Sequence, residues 1–106
     1  MPVKEVPTKK EFDDILAGAG DKLVVVDFFA DWCGPCRMIS PKFYAFSDEF
    51  TNVIFVKINV DDNTEVAEES GISAMPTFQA YKGGKKVDEI VGASEEKLKS
   101  MITSNM

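Results

Sequence analysis

The chain of 106 residues contains no histidine. This absence excludes catalytic triads and general bases built on imidazole, and every zinc site that requires a histidine ligand. Only two cysteines are present, which is too few for the disulfide framework of a small secreted protein. Two thiolates supply only half of a tetrahedral zinc shell, so a metal site would need a second chain or an unusual contribution from carboxylates.

Long hydrophobic runs and an excess of basic charge are also missing. The longest apolar stretches, residues 23–26 and 28–30, are far too short to cross a bilayer. The N-terminal residues contain no apolar core of a secretory signal, so we expect a cytoplasmic protein. The formal net charge of -6 repels nucleic-acid phosphates and anionic lipid headgroups. We therefore expect neither a nucleic-acid partner nor a membrane partner.

The length and composition fit one ordinary domain. Hydrophobic residues make up 44% of the chain and charged residues 28%, so we predict a single domain over residues 1–106. A chain of this size buries roughly two-thirds of its unfolded surface on folding, which gives a core without disulfide staples. The two cysteines are therefore free for another role. In a reducing compartment such a pair is more often catalytic or metal-binding than structural.

Strand and helix patterns alternate along the chain in the order β-α-β-α-β-α-β-β-α, which predicts an α/β fold with one mixed sheet and helices on both faces. Gly83 and Gly84 are a two-residue hairpin signal, so the last two strands should be antiparallel neighbours. Pro41 predicts a kink in the second helix. The predicted strands lie near Val3 and at residues 23–29, 53–60, 77–82 and 86–91. The predicted helices run from a capping box at residues 8–11 to Gly18, from Cys33 to Phe50, over residues 65–70 and from a cap at Ser94 onward.

The two cysteines lie in DFFADWCGPCRM, residues 27–38, with two residues between them. This spacing alone fits redox chemistry, metal binding or coincidence. Cys33 directly follows a predicted buried strand and begins a helix, which is where active sites of open α/β sheets lie. Residues three apart on a helix have Cβ atoms roughly 5 to 6 Å apart, so small rotations can close a disulfide with Cys36. The helix N-terminus favours a thiolate at Cys33, whereas Cys36 should be buried and suits the second, resolving role.

Asp27 interrupts an otherwise apolar predicted strand. A buried carboxylate costs on the order of several kcal/mol unless it is protonated or paired. One interpretation is a general base or acid for Cys36, and the other is a structural aspartate satisfied by Lys57 on the adjacent strand. The two interpretations are compatible.

The stretch VVVDFFADWCGPC at residues 24–36 resembles the active-site signature of the thioredoxin family, and the similarity extends over the whole chain through Lys57, AMPTF at residues 74–78, Gly83 and Gly84, and VGA at residues 91–93. The resemblance implies a thioredoxin fold, an α/β fold with a five-stranded mixed β-sheet flanked by four α-helices. It also implies a protein disulfide reductase that works through a reversible Cys33-Cys36 disulfide and binds no cofactor. Thioredoxin reductase would restore the dithiol with NADPH, which binds the reductase and not this chain.

The resemblance also assigns roles to residues around the pair. Asp27 assists deprotonation of Cys36 through water, and Lys57 tunes Asp27. By itself Pro76 would be an ordinary turn proline before a strand, but the resemblance implies that it is cis and lies against the cysteines. Met75 would then offer backbone groups to an extended substrate peptide. The implied apolar docking surface consists of Trp32, Gly34, Pro35, Met75, Pro76, Val91, Gly92 and Ala93.

The sequence departs from many relatives in two respects. Asp31 stands where they carry a small or neutral residue, and its charge should slightly oppose a thiolate at Cys33. Many animal cytosolic relatives have further cysteines and this chain has none, so we expect a monomer or a weak non-covalent dimer. The acidic residues between Asp61 and Glu69 are expected to form a solvated face.

Three other functions can be separated from disulfide reduction by experiment. Oxidases and isomerases of the same chemistry commonly have histidine between their cysteines, where this chain has Pro35. A redox-dependent binding module, whose dithiol form binds a partner, predicts tight binding that survives Cys36→Ser without covalent capture. An inert structural pair predicts that neither cysteine reacts with alkylating reagents at neutral pH.

Overall fold

Strands and helices follow one another in the predicted order. The computed structural model describes residues 3–106. Its strands are β1 (Val3–Glu5), β2 (Val24–Phe29), β3 (Ile54–Asn59), β4 (Thr77–Lys82) and β5 (Lys85–Val91). Its helices are α1 (Lys9–Gly18), α2 (Gly34–Glu49), α3 (Thr64–Glu69) and α4 (Glu95–Asn105). The predicted mixed α/β architecture is confirmed, with strands β2 and β3 slightly shorter than the apolar runs that predicted them.

The strands form one sheet in the order β1-β3-β2-β4-β5. Strand β3 pairs in parallel with β1 and β2, whereas β4 pairs antiparallel with β2 and β5. Strand β2 is therefore central, and the residues that follow its carboxyl end lie in the middle of one sheet edge. Asp27 stands opposite Lys57 of β3 and opposite Phe78 of β4.

The two faces of the sheet carry different helices. On one face, α2 and α4 pack over a core that includes Phe43, Phe55 and Phe78. The ring centroid of Phe43 lies 5.4 Å from that of Phe55 and 5.7 Å from that of Phe78. Each such aromatic pair adds about 0.5 to 1.5 kcal/mol to the stability of the fold beyond the burial of its surface. On the other face, α1 and α3 cover a second core with Phe12 and Val66. Burial of both faces explains why β2 reads as a nearly continuous apolar run.

The turn between β4 and β5 confirms the predicted hairpin. Gly83 and Gly84 have φ of 62° and 78°, a left-handed conformation that glycine adopts without strain. Two consecutive residues of this kind match the right-handed twist of the flanking strands, which is why a Gly-Gly pair predicts a tight antiparallel connection.

The helix ends follow the capping residues seen in the sequence. The Thr8 hydroxyl accepts a hydrogen bond from the backbone N–H of Glu11 at 3.2 Å, which satisfies one free donor of α1. The Glu11 carboxylate lies 3.8 Å from Lys4 Nζ and makes no hydrogen bond with the Thr8 N–H within residues 3–106, so only the Thr8 half of the predicted capping box forms. Ser94 caps α4 through the N–H of Lys97. Helix α2 continues through Pro41.

Candidate active site

The cysteine pair lies where the chain leaves the central strand and enters α2. Cys33 is the N-cap of α2, and its Sγ accepts a hydrogen bond from the backbone N–H of Cys36 at 3.2 Å. The N–H of Cys33 itself donates to the Ala30 carbonyl at 3.1 Å, which fixes the turn. Pro35 occupies the first turn, where a helix needs no N–H donor. Cys33 Sγ therefore lies at the positive end of a 16-residue helix.

Cys33 and Cys36 are joined as a disulfide, with their Cα atoms 5.3 Å apart. Cys36 is 4% exposed, as expected, but Cys33 is only 5% exposed, so burial does not distinguish the two residues in this form. The surroundings of the two cysteines do distinguish them. Cys33 Sγ faces the helix N-terminus, whereas Cys36 lines a cavity that also contains Asp27.

Asp27 is buried without a direct partner. It is 4% exposed, and its Oδ1 has no hydrogen-bond partner within residues 3–106. Burial raises the pKa of Asp27 to about 7, and the positive charge of Lys57 partly opposes this rise. The carboxyl faces a cavity of about 150 Å³, lined by Asp27, Phe29, Ala30, Asp31, Cys36, Arg37, Ser40 and Lys57.

Lys57 lies beside Asp27 in the sheet but is not its ion-pair partner. The Lys57 ammonium is 3.8 Å from Glu5 Oε1 and lies over the rings of Phe29 and Tyr44, at 5.3 and 5.4 Å from their centroids. Burial lowers the pKa of Lys57, but a hydrogen bond with Tyr44 and the charges of Glu5 and Asp27 raise it overall. The interpretation of Asp27 as a carboxylate satisfied directly by Lys57 is therefore wrong. Between these two side chains the only effect seen is that the positive charge of Lys57 lowers the pKa of Asp27.

Trp32 projects from the surface beside the disulfide, with 66% of its area exposed. Its Nε1 donates a hydrogen bond to Asp61 Oδ2 at 3.0 Å. The backbone N–H of Asp61 donates in turn to Asn59 Oδ1 at 2.9 Å, and Asn59 Nδ2 donates to Asp31 Oδ2 at 3.3 Å. Sequence reasoning missed Asn59 and treated Asp61 as solvated surface. Asp61 is indeed exposed, but it also orients the indole.

Another part of the predicted docking surface, Met75 and Pro76, lies directly before β4 and approaches the disulfide from that side. The Met75-Pro76 peptide bond is cis, and Met75 packs against the small buried cluster of Ala30, Cys33 and Cys36. The Gly92 N–H donates to the Pro76 carbonyl at 2.9 Å, which brings the end of β5 alongside. Of the docking residues predicted from the sequence, Trp32, Pro35, Val91 and Ala93 are exposed, Gly34, Met75 and Gly92 are half-buried, and Pro76 is buried.

A groove of about 280 Å³ lies between Trp32 and α3. Its apolar walls include Val60, Ile72 and Met75, and its charged residues are Asp61 and Glu68. The groove therefore combines apolar walls with two carboxylates and lies beside Trp32.

Within residues 3–106, no three histidine, cysteine, aspartate or glutamate side chains gather in a way that could hold a metal ion. Over the same range, no helix combines the length and the apolar character needed to span a membrane. The only redox group that these residues present is the disulfide itself.

A disulfide at the N-terminus of the helix that follows the central strand, with a buried carboxyl behind it, defines a thiol-disulfide oxidoreductase. The family model described as Thioredoxin matches residues 3–104. The chain is 52% identical to human thioredoxin over 100 residues, covering 94% of this chain and 95% of that protein. It is 50% identical to thioredoxin-1 of Schizosaccharomyces pombe, covering 98% and 99%. The crystal structure of Fasciola hepatica thioredoxin superposes with a TM-score of 0.96 at 43% identity, covering 97% and 99%. The chain therefore belongs to the thioredoxin family and is an oxidoreductase of protein disulfides.

Proposed function

We propose that Cys33 is the attacking thiolate and Cys36 the resolving thiol of this reductase. The Cys33 thiolate attacks one sulfur of a substrate disulfide, forming a mixed disulfide and releasing the other substrate sulfur as a thiolate. The Cys36 thiolate then attacks Cys33 Sγ, which releases the second substrate thiolate and leaves Cys33 and Cys36 oxidised. Two electrons pass to the substrate, whose thiolates take up protons. The observation that carries this assignment is the hydrogen bond from the Cys36 N–H to Cys33 Sγ, since this donor stabilises a thiolate at Cys33.

Asp27 serves as the base that deprotonates Cys36. A general base works best when its pKa is close to the working pH, and the pKa of Asp27 lies at about 7. Asp27 and Cys36 line the same cavity of about 150 Å³, which has room for several waters at roughly 30 Å³ each. A water in this cavity can carry the proton from Cys36 to the carboxylate. Lys57 adjusts the proton affinity of Asp27 through its charge.

Substrate peptides bind over Trp32, Gly34 and Pro35 and against the segment that contains Met75 and Pro76. Met75 offers its backbone groups to the peptide in the manner of an added strand, because it packs against the cluster that contains the cysteines. The full docking surface also includes Pro76, Val91, Gly92 and Ala93.

The oxidised pair is returned to the dithiol by a thioredoxin reductase that draws on NADPH, and the chain itself binds no cofactor. This proposal rests on similarity over nearly the full length of the thioredoxins compared above. We further propose that residues 1–106 act as a single domain in the cytoplasm, as a monomer or a weak non-covalent dimer, with disulfide-containing proteins as substrates. Neither nucleic acid nor membrane is among the proposed partners, because a net charge of -6 disfavours both surfaces.

The test is the dithiol-driven reduction of insulin, followed by turbidity, with the wild type beside Cys33→Ser and Cys36→Ser. We expect an active wild type, an inactive Cys33→Ser and a Cys36→Ser protein that accumulates as a mixed disulfide with insulin chains. Covalent capture by Cys33→Ser instead would reverse the two roles. A wild type no faster than the dithiol alone would overturn the reductase assignment, and tight binding without capture would favour a redox-dependent binding module.

A further inference from the structure

Three charged side chains form a row across the sheet beneath α2. Glu5 of β1 stands opposite Lys57 of β3, and Lys57 stands opposite Asp27 of β2. Neighbouring residues in parallel strands point to the same face, so the three side chains share one side of the sheet. In the register of the sheet Lys57 stands between two acidic residues, and its ammonium forms an ion pair with Glu5 at 3.8 Å.

We propose that Glu5 is a positioning residue that holds Lys57 away from Asp27 and thereby preserves the proton affinity of the buried carboxyl. The inference rests on the proposed role of Asp27 as the base for Cys36, and it extends the site to a strand that contacts neither cysteine. Nothing in the sequence signal at Cys33 and Cys36 points to Glu5.

The geometry around Lys57 supports a competition for its charge. Glu5 is 46% exposed in its side chain and Lys57 27%, so Glu5 lies towards the solvent, whereas Lys57 also lines the Asp27 cavity. The rings of Phe29 and Tyr44 also hold the Lys57 ammonium in this position, through cation-π contacts at 5.3 and 5.4 Å. Without the Glu5 charge, the flexible lysine stem is free to turn its ammonium towards Asp27 Oδ1, which has no partner within residues 3–106.

The other charged and titratable groups near Asp27 come from the segment after β2 and from α2. Asp31 accepts a hydrogen bond from Asn59, and the Arg37 guanidinium donates to the Asp31 carbonyl at 2.7 Å, so both are engaged at the mouth of the cavity. Cys36 lines the cavity from α2, and Tyr44 contacts Lys57 from the same helix. On the β4 side, Asp27 meets the apolar Phe78. Lys57 is thus the cation through which a distant group can act on Asp27.

The experiment measures the protonation of Asp27 directly, by ¹³C NMR of its carboxyl carbon during a pH titration of the oxidised protein. We compare the wild type with Glu5→Gln, with Lys57→Met and with the double variant. Glu49→Gln is the matched control, because it removes another half-exposed carboxylate, 3.9 Å from Lys99 Nζ, at the far end of α2. Lys57→Gln is a second background, in case the methionine disturbs folding.

We expect Glu5→Gln to lower the Asp27 midpoint by about half a pH unit, the size typical of a partly exposed ion pair. Glu49→Gln should leave the midpoint in place, and Glu5→Gln should have no effect once Lys57 is replaced. An unchanged midpoint in Glu5→Gln overturns the proposal. So does an equal shift with and without Lys57, because Glu5 then acts directly by its own charge.

The titration does not depend on Asp27 being a catalytic base. The assignment of Asp27 as the base is tested separately, by measuring the rate of mixed-disulfide release of the wild type as a function of pH. If this rate does not follow the titration of Asp27, that assignment fails. The two failures are therefore distinguishable.

Discussion

At the scale of single residues, Asp27 occupies an environment very different from that of an ordinary surface carboxylate. Its carboxyl is buried, lacks a partner for Oδ1 within residues 3–106 and faces the same cavity as Cys36. A group placed in this way affects both the rate of reaction and the stability of the fold, and the two effects have opposite consequences at neutral pH.

The first prediction concerns the rate. Asp27→Asn should slow the release of the mixed disulfide by about 100-fold at neutral pH, the lower end of general-base effects, because Cys36 loses its proton acceptor. The attack by Cys33 should change little, since its thiolate depends on the helix N-terminus. Rapid-quench kinetics with a disulfide peptide separate the two steps. Asp13→Asn, which removes an exposed carboxylate paired with Lys9, is the control. Equal slowing of both steps would contradict the assignment.

The second prediction concerns stability. Because burial raises the pKa of Asp27 from 3.8 to about 7, the native state binds this proton more tightly than the unfolded chain. Wild-type stability should therefore fall as pH rises from about 4 to 7, and stay lower above that range. Asp27→Asn carries no such charge, so its free energy of unfolding should exceed that of the wild type by on the order of 4 kcal/mol at pH 8.

Urea unfolding at pH 4 and at pH 8 tests this second prediction. The advantage of Asp27→Asn should shrink towards pH 4, where the wild-type carboxyl is protonated in the native state. An advantage that is the same at both pH values would show that the variant acts through packing and not through the proton.

The sequence identified Cys33, Cys36 and Asp27 because each one breaks a local pattern. A charge inside an apolar run and two cysteines at a strand end are visible without a structure. The hydrogen bond between Trp32 and Asp61 is not visible in the sequence, because it joins positions 29 residues apart and depends on side-chain directions that only the packed fold defines. The orientation of Lys57 towards Glu5 is hidden for the same reason.

At the scale of helices and strands, local signals were reliable for the existence of each element and less so for its limits. Periodicity of apolar residues decides whether a segment is helix or strand, but the last residues depend on hydrogen bonds to neighbouring strands. Val53 and Val60 flank β3 as apolar residues without belonging to the strand. Caps locate the helix starts better, since a side chain must bind a particular N–H.

The third prediction tests such a cap. Thr8→Ala should lower the free energy of unfolding by about 1 kcal/mol, because the Glu11 N–H loses its acceptor. Thr8→Ser retains a hydroxyl and should remain close to the wild type in urea unfolding. The insulin-reduction rate at 25 °C should be the same for all three proteins, since α1 lies on the opposite face of the sheet from α2. A loss of activity in Thr8→Ala would show that the two faces are coupled.

At the scale of the whole molecule, the net charge of -6 and the carboxylates of Asp61 and Glu68 beside the groove act in the same direction. Positively charged segments are attracted to this surface and negatively charged ones are repelled. Salt screens this interaction beyond about 10 Å at an ionic strength of 0.1 M.

The fourth prediction follows from this field. Raising the salt concentration from 20 to 500 mM should slow the reduction of a disulfide peptide flanked by lysines by about 10-fold and accelerate that of a glutamate-flanked peptide. Second-order rate constants for the two peptides, measured under the same conditions, provide the comparison. An equal response of both peptides to salt would mean that association does not depend on this charge.

The hydrogen bond between the Cys36 N–H and Cys33 Sγ has one more consequence. The acceptor is the same atom whether it is bonded to the other sulfur or bears a negative charge, so α2 keeps its cap in both states. Oxidised and reduced molecules should then present nearly the same outline to their surroundings. Any protein that binds only one of the two redox forms then has to distinguish them by the charge and reactivity of a single sulfur, because the shape of the surface around it offers no other difference.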